Sequence, residues 1–285
     1  MTTAVLGMGQ MGAALAKRLL ADGQEVVVWN RSPGKGGDVV AAGARPAASI
    51  AEAVEQAEAV LVSLANDEAV RQVALGPEGI RASIADGVTY AECSTVAPAL
   101  TAELSEEFAH FVALPVLGAP AAVEAGQAVY LAGGATGAVE RLRPVLASLG
   151  GTVRHYASAP LASTAKLSAN LLLLSGVVSL AESFAVGRSG GLSDDQLREL
   201  LAGVVAPNVK NRFEAVLGSP SGGWWATTLG AKDAGLAIAA AEGAGVRLSV
   251  ANAVREAYLR AAREGYEDDD IAAVRHLYEN RHVGH

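Results

Sequence analysis

The sequence predicts an α/β protein in which a doubly wound parallel sheet is followed by an all-helical second domain, and three observations carry that expectation. The first is a strand, glycine turn and helix at the start: Thr3-Ala4-Val5-Leu6, then Gly7-Met8-Gly9-Gln10-Met11-Gly12, then a helical stretch from Ala13 to Leu20. The second is the recurrence of short apolar strands at 25–29, 59–64 and 88–93, separated by helical segments and by turns at Gly76-Pro77 and Asp86-Gly87; strands alternating with helices read as βαβ units. The third is that only helical patterns follow the strand at 152–156. The expected domains are 1–160, a dinucleotide-binding domain of Rossmann type, and 161–285, a helical domain for substrate and dimerisation.

Each element has its own reason. In the opening turn, Gly7 permits the tight bend, Gly9 lets a pyrophosphate approach the backbone, and Gly12 lets the helix pack closely on the strand. The amides at the helix start, around Gln10 and Met11, would face the phosphates. A second strand, Glu25-Val26-Val27-Val28-Trp29, arrives at the distance a βαβ unit requires and ends at Asn30-Arg31-Ser32. An acidic residue there would hold an unmodified ribose and repel a 2′-phosphate. None is present, and Arg31 can pair with the phosphate while Asn30, Ser32 and Lys35 donate further hydrogen bonds, so NADP(H) is the expected cofactor. The third and fourth strands end at Leu64 and at Ser94-Thr95, on the carboxyl edge where ligands bind in such sheets. Leu64 is an expected cofactor contact, Thr95 the expected nicotinamide neighbour and Ser94 an expected substrate contact; Ser94 or Thr95 can equally serve as a helix N-cap.

A strand and turn at 111–120, a strand from Ala128 into Gly133-Gly134, and a last strand at 152–156 complete the first domain. A long helix follows, containing Ser163-Thr164-Ala165-Lys166-Leu167-Ser168-Ala169-Asn170. Residues four apart share a helical face, so the Lys166 ammonium and the Asn170 amide can converge on one small ligand. The next stretch, 171–180, is apolar on every side, which is how a helix reads when protein covers it all round. Partial burial would lower the Lys166 pKa and suit it to proton transfer near neutral pH; the alternative is a lysine snorkelling to water. Gly190-Gly191 ends the helix, Ser193-Asp194-Asp195-Gln196 starts the next, and a loop at 218–223 precedes Trp224-Trp225. The acidic run 267–270 is read as complementing one more helix dipole.

Composition narrows the function classes. The chain has 285 residues, 51% hydrophobic and 18% charged, with a formal charge of −8 and scattered basic residues. A large core is possible, and no basic footprint for nucleic acid or a membrane surface is present. The apolar run after Leu171, interrupted by Ser175 and Gly176, reads as too short to span a bilayer, and the start lacks a basic leader, so a cytoplasmic location is expected. Cys93 is the single cysteine and reads as a core thiol. His110, His155, His276, His282 and His285 show no ligand spacing, and no metal is expected.

Taken together, the glycine fingerprint, the Ser94-Thr95 turn, the Lys166 and Asn170 pair and Lys232-Asp233-Ala234-Gly235-Leu236-Ala237 make the chain similar to the β-hydroxyacid dehydrogenase family over nearly its whole length. The resemblance implies that Lys166 is the general acid for carbonyl reduction, that Asn170 helps bind substrate, and that Lys232 lies near the nicotinamide. It also implies dimers interlocked through the long helix, with Trp224 among the substrate neighbours. The chain departs from the family where typical members carry Pro-Val-Ser-Gly-Gly. Here Pro115-Val116-Leu117-Gly118-Ala119-Pro120 replaces a carboxylate-binding serine with Leu117, leaving the Gly118 and Ala119 amides. Imine reductases are similarly apolar in this segment but usually have aspartate or tyrosine where Lys166 stands. The expected activity is therefore NADPH-dependent reduction of a small aldehyde, ketone or semialdehyde by a homodimer. An imine reductase and a non-catalytic NADP(H)-binding protein are the alternatives.

Overall fold

The computed structural model describes residues 1–189, 191–203, 212–218, 223–242 and 248–279. Gly190, residues 219–222 of the expected loop, His282 and His285 lie outside the described residues. The chain divides into two compact units, Met1–Lys166 and Leu167–His285, with the division inside the long helix.

Among the described residues the first unit holds one nine-stranded sheet. Its strands are β1 (Thr2–Leu6), β2 (Glu25–Trp29), β3 (Arg45–Pro46), β4 (Ala59–Val62), β5 (Thr89–Glu92), β6 (Phe111–Ala113), β7 (Val116–Leu117), β8 (Val129–Gly134) and β9 (Thr152–Tyr156). They lie in the order β3-β2-β1-β4-β5-β6-β8-β7, with β9 on β8. From β3 to β6 every pairing is parallel. β8 runs antiparallel to β6 and β7, so the doubly wound parallel sheet carries a mixed edge. The chain order reverses between β2-β1 and β4-β5, which opens a crevice beyond the carboxyl ends of β1 and β4.

Burial on both faces explains why the central strands read as unbroken apolar runs. Successive side chains point to opposite faces. Val5, Leu61, Ala91 and Val112 enter one core, with Leu15 and Leu19 of the helix Gln10–Ala21. Leu6, Val60, Val62, Tyr90 and Phe111 enter the other, with Val70 and Val73 of the helix Asp67–Leu75 and Leu100 and Leu104 of Pro98–Glu107. Ala159 and Ala162, from the first turns of the long helix, also lie in that second core.

In the second unit the remainder of the long helix, Ala159–Ser189, is joined by Asp194–Ala202, Phe213–Leu217, Thr227–Glu242, Ser249–Ala261 and a 3-10 turn at Ile271–Tyr278. Ser193 and Gln196 form the expected capping box. Small residues allow the helices close approach: a Cβ at Gly230 would come within 3.1 Å of Ile271 and 3.3 Å of Leu174. Of the acidic run, Asp270 is the structural member. It is buried, caps the Ala272 amide at 3.1 Å, and pairs with Arg212 at 2.8 Å.

The long helix bears on two sequence expectations. The stretch Ala159–Ala181, which begins well ahead of the run after Leu171, is long and apolar enough, by length and composition, to cross a membrane. Its buried positions belong instead to protein cores, Ala159 and Ala162 in the first unit and Leu174, Val177, Val178, Leu180 and Ala181 in the second. The all-round cover expected of 171–180 is not met within one chain, since Leu172 is 69% exposed.

Candidate functional site

The glycine turn shows three glycines with three separate reasons. Gly7 has φ +99, and a Cβ there would lie 2.2 Å from the Ser63 carbonyl oxygen; a Cβ at Gly12 would lie 1.9 Å from the Gly7 carbonyl. Gly9 is different, with nothing within 4 Å of its would-be Cβ. The space beside Gly9 is the approach a phosphate needs. Gly9 also precedes the helix Gln10–Ala21 in extended conformation, with no side-chain cap and no acidic residue in the first turn. The first-turn amides, including those of Gln10 and Met11, are thus offered to an anion rather than consumed by a capping side chain.

Beyond β2, Arg31, Ser32 and Lys35 are exposed on a loop turned by Gly34 and Gly36, both at positive φ. Gly36 lets this loop sit on Met8, because a Cβ there would come within 2.7 Å of the methionine side chain. The Asn30 side chain is engaged locally, accepting from the Met8 amide at 3.0 Å and donating to the Ser32 carbonyl at 2.9 Å. Asn30 therefore ties the glycine turn to the β2 loop, a task the sequence did not reveal. Asp38, the first acidic residue after β2, is paired with Lys17 at 2.5 Å, and that hydrogen bond holds its pKa below the usual carboxylate range.

At the ends of β4 and β5 the loops are joined. The Leu64 amide donates to Ser94 Oγ at 2.8 Å, and Ser94 is buried, so this serine connects the two loops. Beneath it lies Glu92, fully buried at the end of β5. Its Oε1 accepts from the Ser94 amide at 2.9 Å and its Oε2 from the Tyr90 hydroxyl at 2.6 Å. Burial raises the Glu92 pKa to about 7, against the opposing pull of those hydrogen bonds. Thr95 follows, half-buried. Cys93 is buried, and burial pushes its thiol well above the ordinary range.

The departing segment meets the lysine. Lys166 is half-buried and its Nζ donates to the Val116 carbonyl at 2.7 Å. Val116 immediately precedes Leu117, which is half-buried against the core, Gly118 with φ +143, and Ala119. The amine is thereby fixed beside the backbone that leads into Leu117, Gly118 and Ala119. Asn170 lies one turn further along the same helix, in the second unit.

There, Asn170 is buried and its Nδ2 donates to Asp233 Oδ2 at 3.0 Å, while Lys232 Nζ pairs with Asp233 Oδ1 at 2.9 Å. In the sequence Asp233 stands out only within the motif it shares with Lys232, with no role of its own; its partner Asn170 is 63 residues away in the chain. Trp224 stacks on the buried Trp225 with ring centroids 5.5 Å apart, and the Arg212 guanidinium lies 5.2 Å from the Trp224 ring centre. Among the described residues no group of three or more His, Cys, Asp and Glu is gathered as a metal site.

Comparison with known proteins follows this geometry. Residues 2–157 match the family described as the NAD binding domain of 6-phosphogluconate dehydrogenase. Residues 161–278 match that described as the NAD-binding of NADP-dependent 3-hydroxyisobutyrate dehydrogenase. The chain is similar to a protein named NAD-dependent L-serine dehydrogenase in Pseudomonas aeruginosa, 30% identical over 97% of each. In fold it resembles a 3-hydroxyisobutyrate dehydrogenase from Salmonella typhimurium, with a TM-score of 0.87 at 24% identity over 97% of this chain and 99% of that one. It also resembles an imine reductase from Myxococcus stipitatus in complex with NADP+, with a TM-score of 0.66 at 20% identity over 98% of this chain and 100% of that one.

Proposed function

The chain belongs to the β-hydroxyacid dehydrogenase family of NAD(P)-dependent oxidoreductases, and from that premise we propose that it is an NADPH-dependent reductase of a small aldehyde, ketone or semialdehyde. The observation that carries the reading is the Lys166 amine, held 2.7 Å from the Val116 carbonyl at the lip of the Leu117-Gly118-Ala119 segment. A lysine whose ammonium is fixed beside a neutral carbonyl can act as a proton donor, and a positioned acid of this kind contributes roughly 10²–10⁴ in rate.

NADPH, when bound, supplies the hydride. The residues fit it: the opening at Gly9 and the uncapped helix suit the pyrophosphate, and Arg31, Ser32 and Lys35 suit the 2′-phosphate. The relative named for NAD leaves the NADPH preference resting on that loop alone. Lys166 would give a proton to the substrate oxygen, and Asn170 would hold that oxygen or a neighbouring polar group, its amide oriented by Asp233. In this reading Leu64 and Thr95 lie at the nicotinamide end.

Leu117 favours an apolar substituent over a carboxylate, which keeps imine reduction as the second reading. We further propose a cytoplasmic homodimer in which the partner covers Leu172, with no nucleic acid or membrane among its partners. A chain that sediments as a monomer at micromolar concentration and is fully active would end the dimer proposal. The function is tested by NADPH oxidation across semialdehydes, ketones, 2-oxoacids and cyclic imines. Turnover confined to carbonyls supports the proposal, turnover confined to imines replaces it with the second reading, and cofactor binding without any turnover points to a sensor.

A further inference from the structure

We infer that Glu92 is a positioning residue for the nicotinamide end of the cofactor, acting through the Ser94 loop without touching the cofactor itself. The inference rests on the cofactor reading above. Glu92 is a buried carboxylate at the end of β5, directly below the stretch Ser94-Thr95-Val96-Ala97. One oxygen takes the Ser94 amide at 2.9 Å. Ser94 Oγ in turn takes the Leu64 amide at 2.8 Å, so the carboxylate and the serine together fix the loops that leave β4 and β5.

The other end of the same stretch is held by a second carboxylate, since the Ala97 amide lies 3.3 Å from both oxygens of Asp67. Thr95 sits between the two anchors. From below, Glu92 is held by the Tyr90 hydroxyl at 2.6 Å, and the Tyr90 ring is fixed edge-on by Phe108 at 4.9 Å and Phe111 at 5.2 Å. A rigid aromatic base, a buried carboxylate and a bridging hydroxyl thus form one connected support that ends at Leu64 and Thr95. A buried acid is an expensive component where burial alone is wanted, and its hydrogen bonds all run toward these loops or their base. Among the described residues, the charged and titratable groups acting on it are Asp67, Tyr90 and Cys93, none of them cationic.

The test separates the two halves of the cofactor. Binding of NADPH and of 2′,5′-ADP, which lacks the nicotinamide half, is measured by calorimetry for the wild type and for Glu92→Ala, Ser94→Ala and Tyr90→Phe. Glu92→Ala and Ser94→Ala are expected to weaken NADPH about tenfold, the worth of one buried hydrogen-bonding partner, and to leave 2′,5′-ADP unchanged. Tyr90→Phe, which conserves the ring, is expected to show the same split to a smaller degree and covers the case that Glu92→Ala does not fold. NADPH affinity unchanged in these variants, or both probes weakened by the same factor, would overturn the inference. If the wild type takes NADH instead of NADPH, the same split is read with NADH against ADP, so that cofactor choice and loop support fail separately.

Discussion

The glycine turn of the first unit is shaped by backbone, whereas the Asn170, Asp233 and Lys232 group of the second is shaped by side chains, and the two respond to substitution in opposite ways. Around Gly7 and Gly12 the nearest atoms are main-chain carbonyls that cannot move aside. Around Asp233 the neighbours are an amide and an ammonium, which lose a partner but can repack. A backbone-built site therefore fails by collision, and a side-chain site by an unmatched polar group.

The largest effect that sharpens this contrast comes within the glycine turn itself. Gly12→Ala should cost on the order of 4 kcal/mol or more of folding stability, because its Cβ would meet the Gly7 carbonyl at 1.9 Å and nothing there can yield. Gly9→Ala, with open space around it, should fold normally and lose cofactor affinity. Thermal unfolding and calorimetry of the two variants check the pair, and similar unfolding of both would contradict the assignment of roles.

A smaller effect concerns Glu92, whose carboxyl is raised by burial from 4.5 to about 7 in the folded chain. Below pH 4.5 the folded and unfolded carboxyls are both protonated. Between 4.5 and about 7 the unfolded carboxyl ionises while the folded one keeps its proton, so stability falls as pH rises through that window, by on the order of 3 kcal/mol. Glu92→Gln should remove this component of the slope. Denaturant titrations across the window check it, and parallel curves for variant and wild type would rule it out.

Next in size, Arg31→Ala should weaken NADPH binding by about 1.5–3 kcal/mol and spare NADH; equal losses for both would remove the 2′-phosphate assignment. In the second unit, Asp233→Ala leaves the buried Asn170 amide without its partner, at a stability cost of about 1–3 kcal/mol. Unlike Gly12→Ala it should still fold, and its defect should appear in the Michaelis constant for substrate rather than in cofactor affinity. An unfolded Asp233→Ala would erase the contrast between the two sites.

How much of this was legible in the sequence follows the same division. Gly7, Gly9 and Gly12 could be assigned because each answers a local backbone requirement that spacing alone displays. The parallel strands were legible because burial on both faces leaves continuous apolar runs. The mixed edge was not, since β6 and β7 have three and two residues, too few to show a period. Asn30 and Ser94 were read as ligand contacts, but their partners, Met8 and Leu64, lie on other loops that only the folded sheet brings alongside. Asp233 and Glu92 carried no role in the sequence for a related reason: a carboxylate in a sequence does not disclose whether it will be solvated or buried. The apolar stretch 171–180 announced burial correctly for Leu174 and Val177 and could not say what covers Leu172.

The proton donor is the centre of the account, and Lys166→Ala tests it most directly through turnover and NADPH affinity measured on the same preparation. The account predicts unchanged folding and NADPH binding with carbonyl reduction slower by roughly 10²–10⁴, while reduction of a preformed cyclic iminium, which arrives protonated, survives wherever that activity is present. Carbonyl turnover within a few-fold of the wild type would contradict it and leave Lys166 a structural lysine bound to Val116.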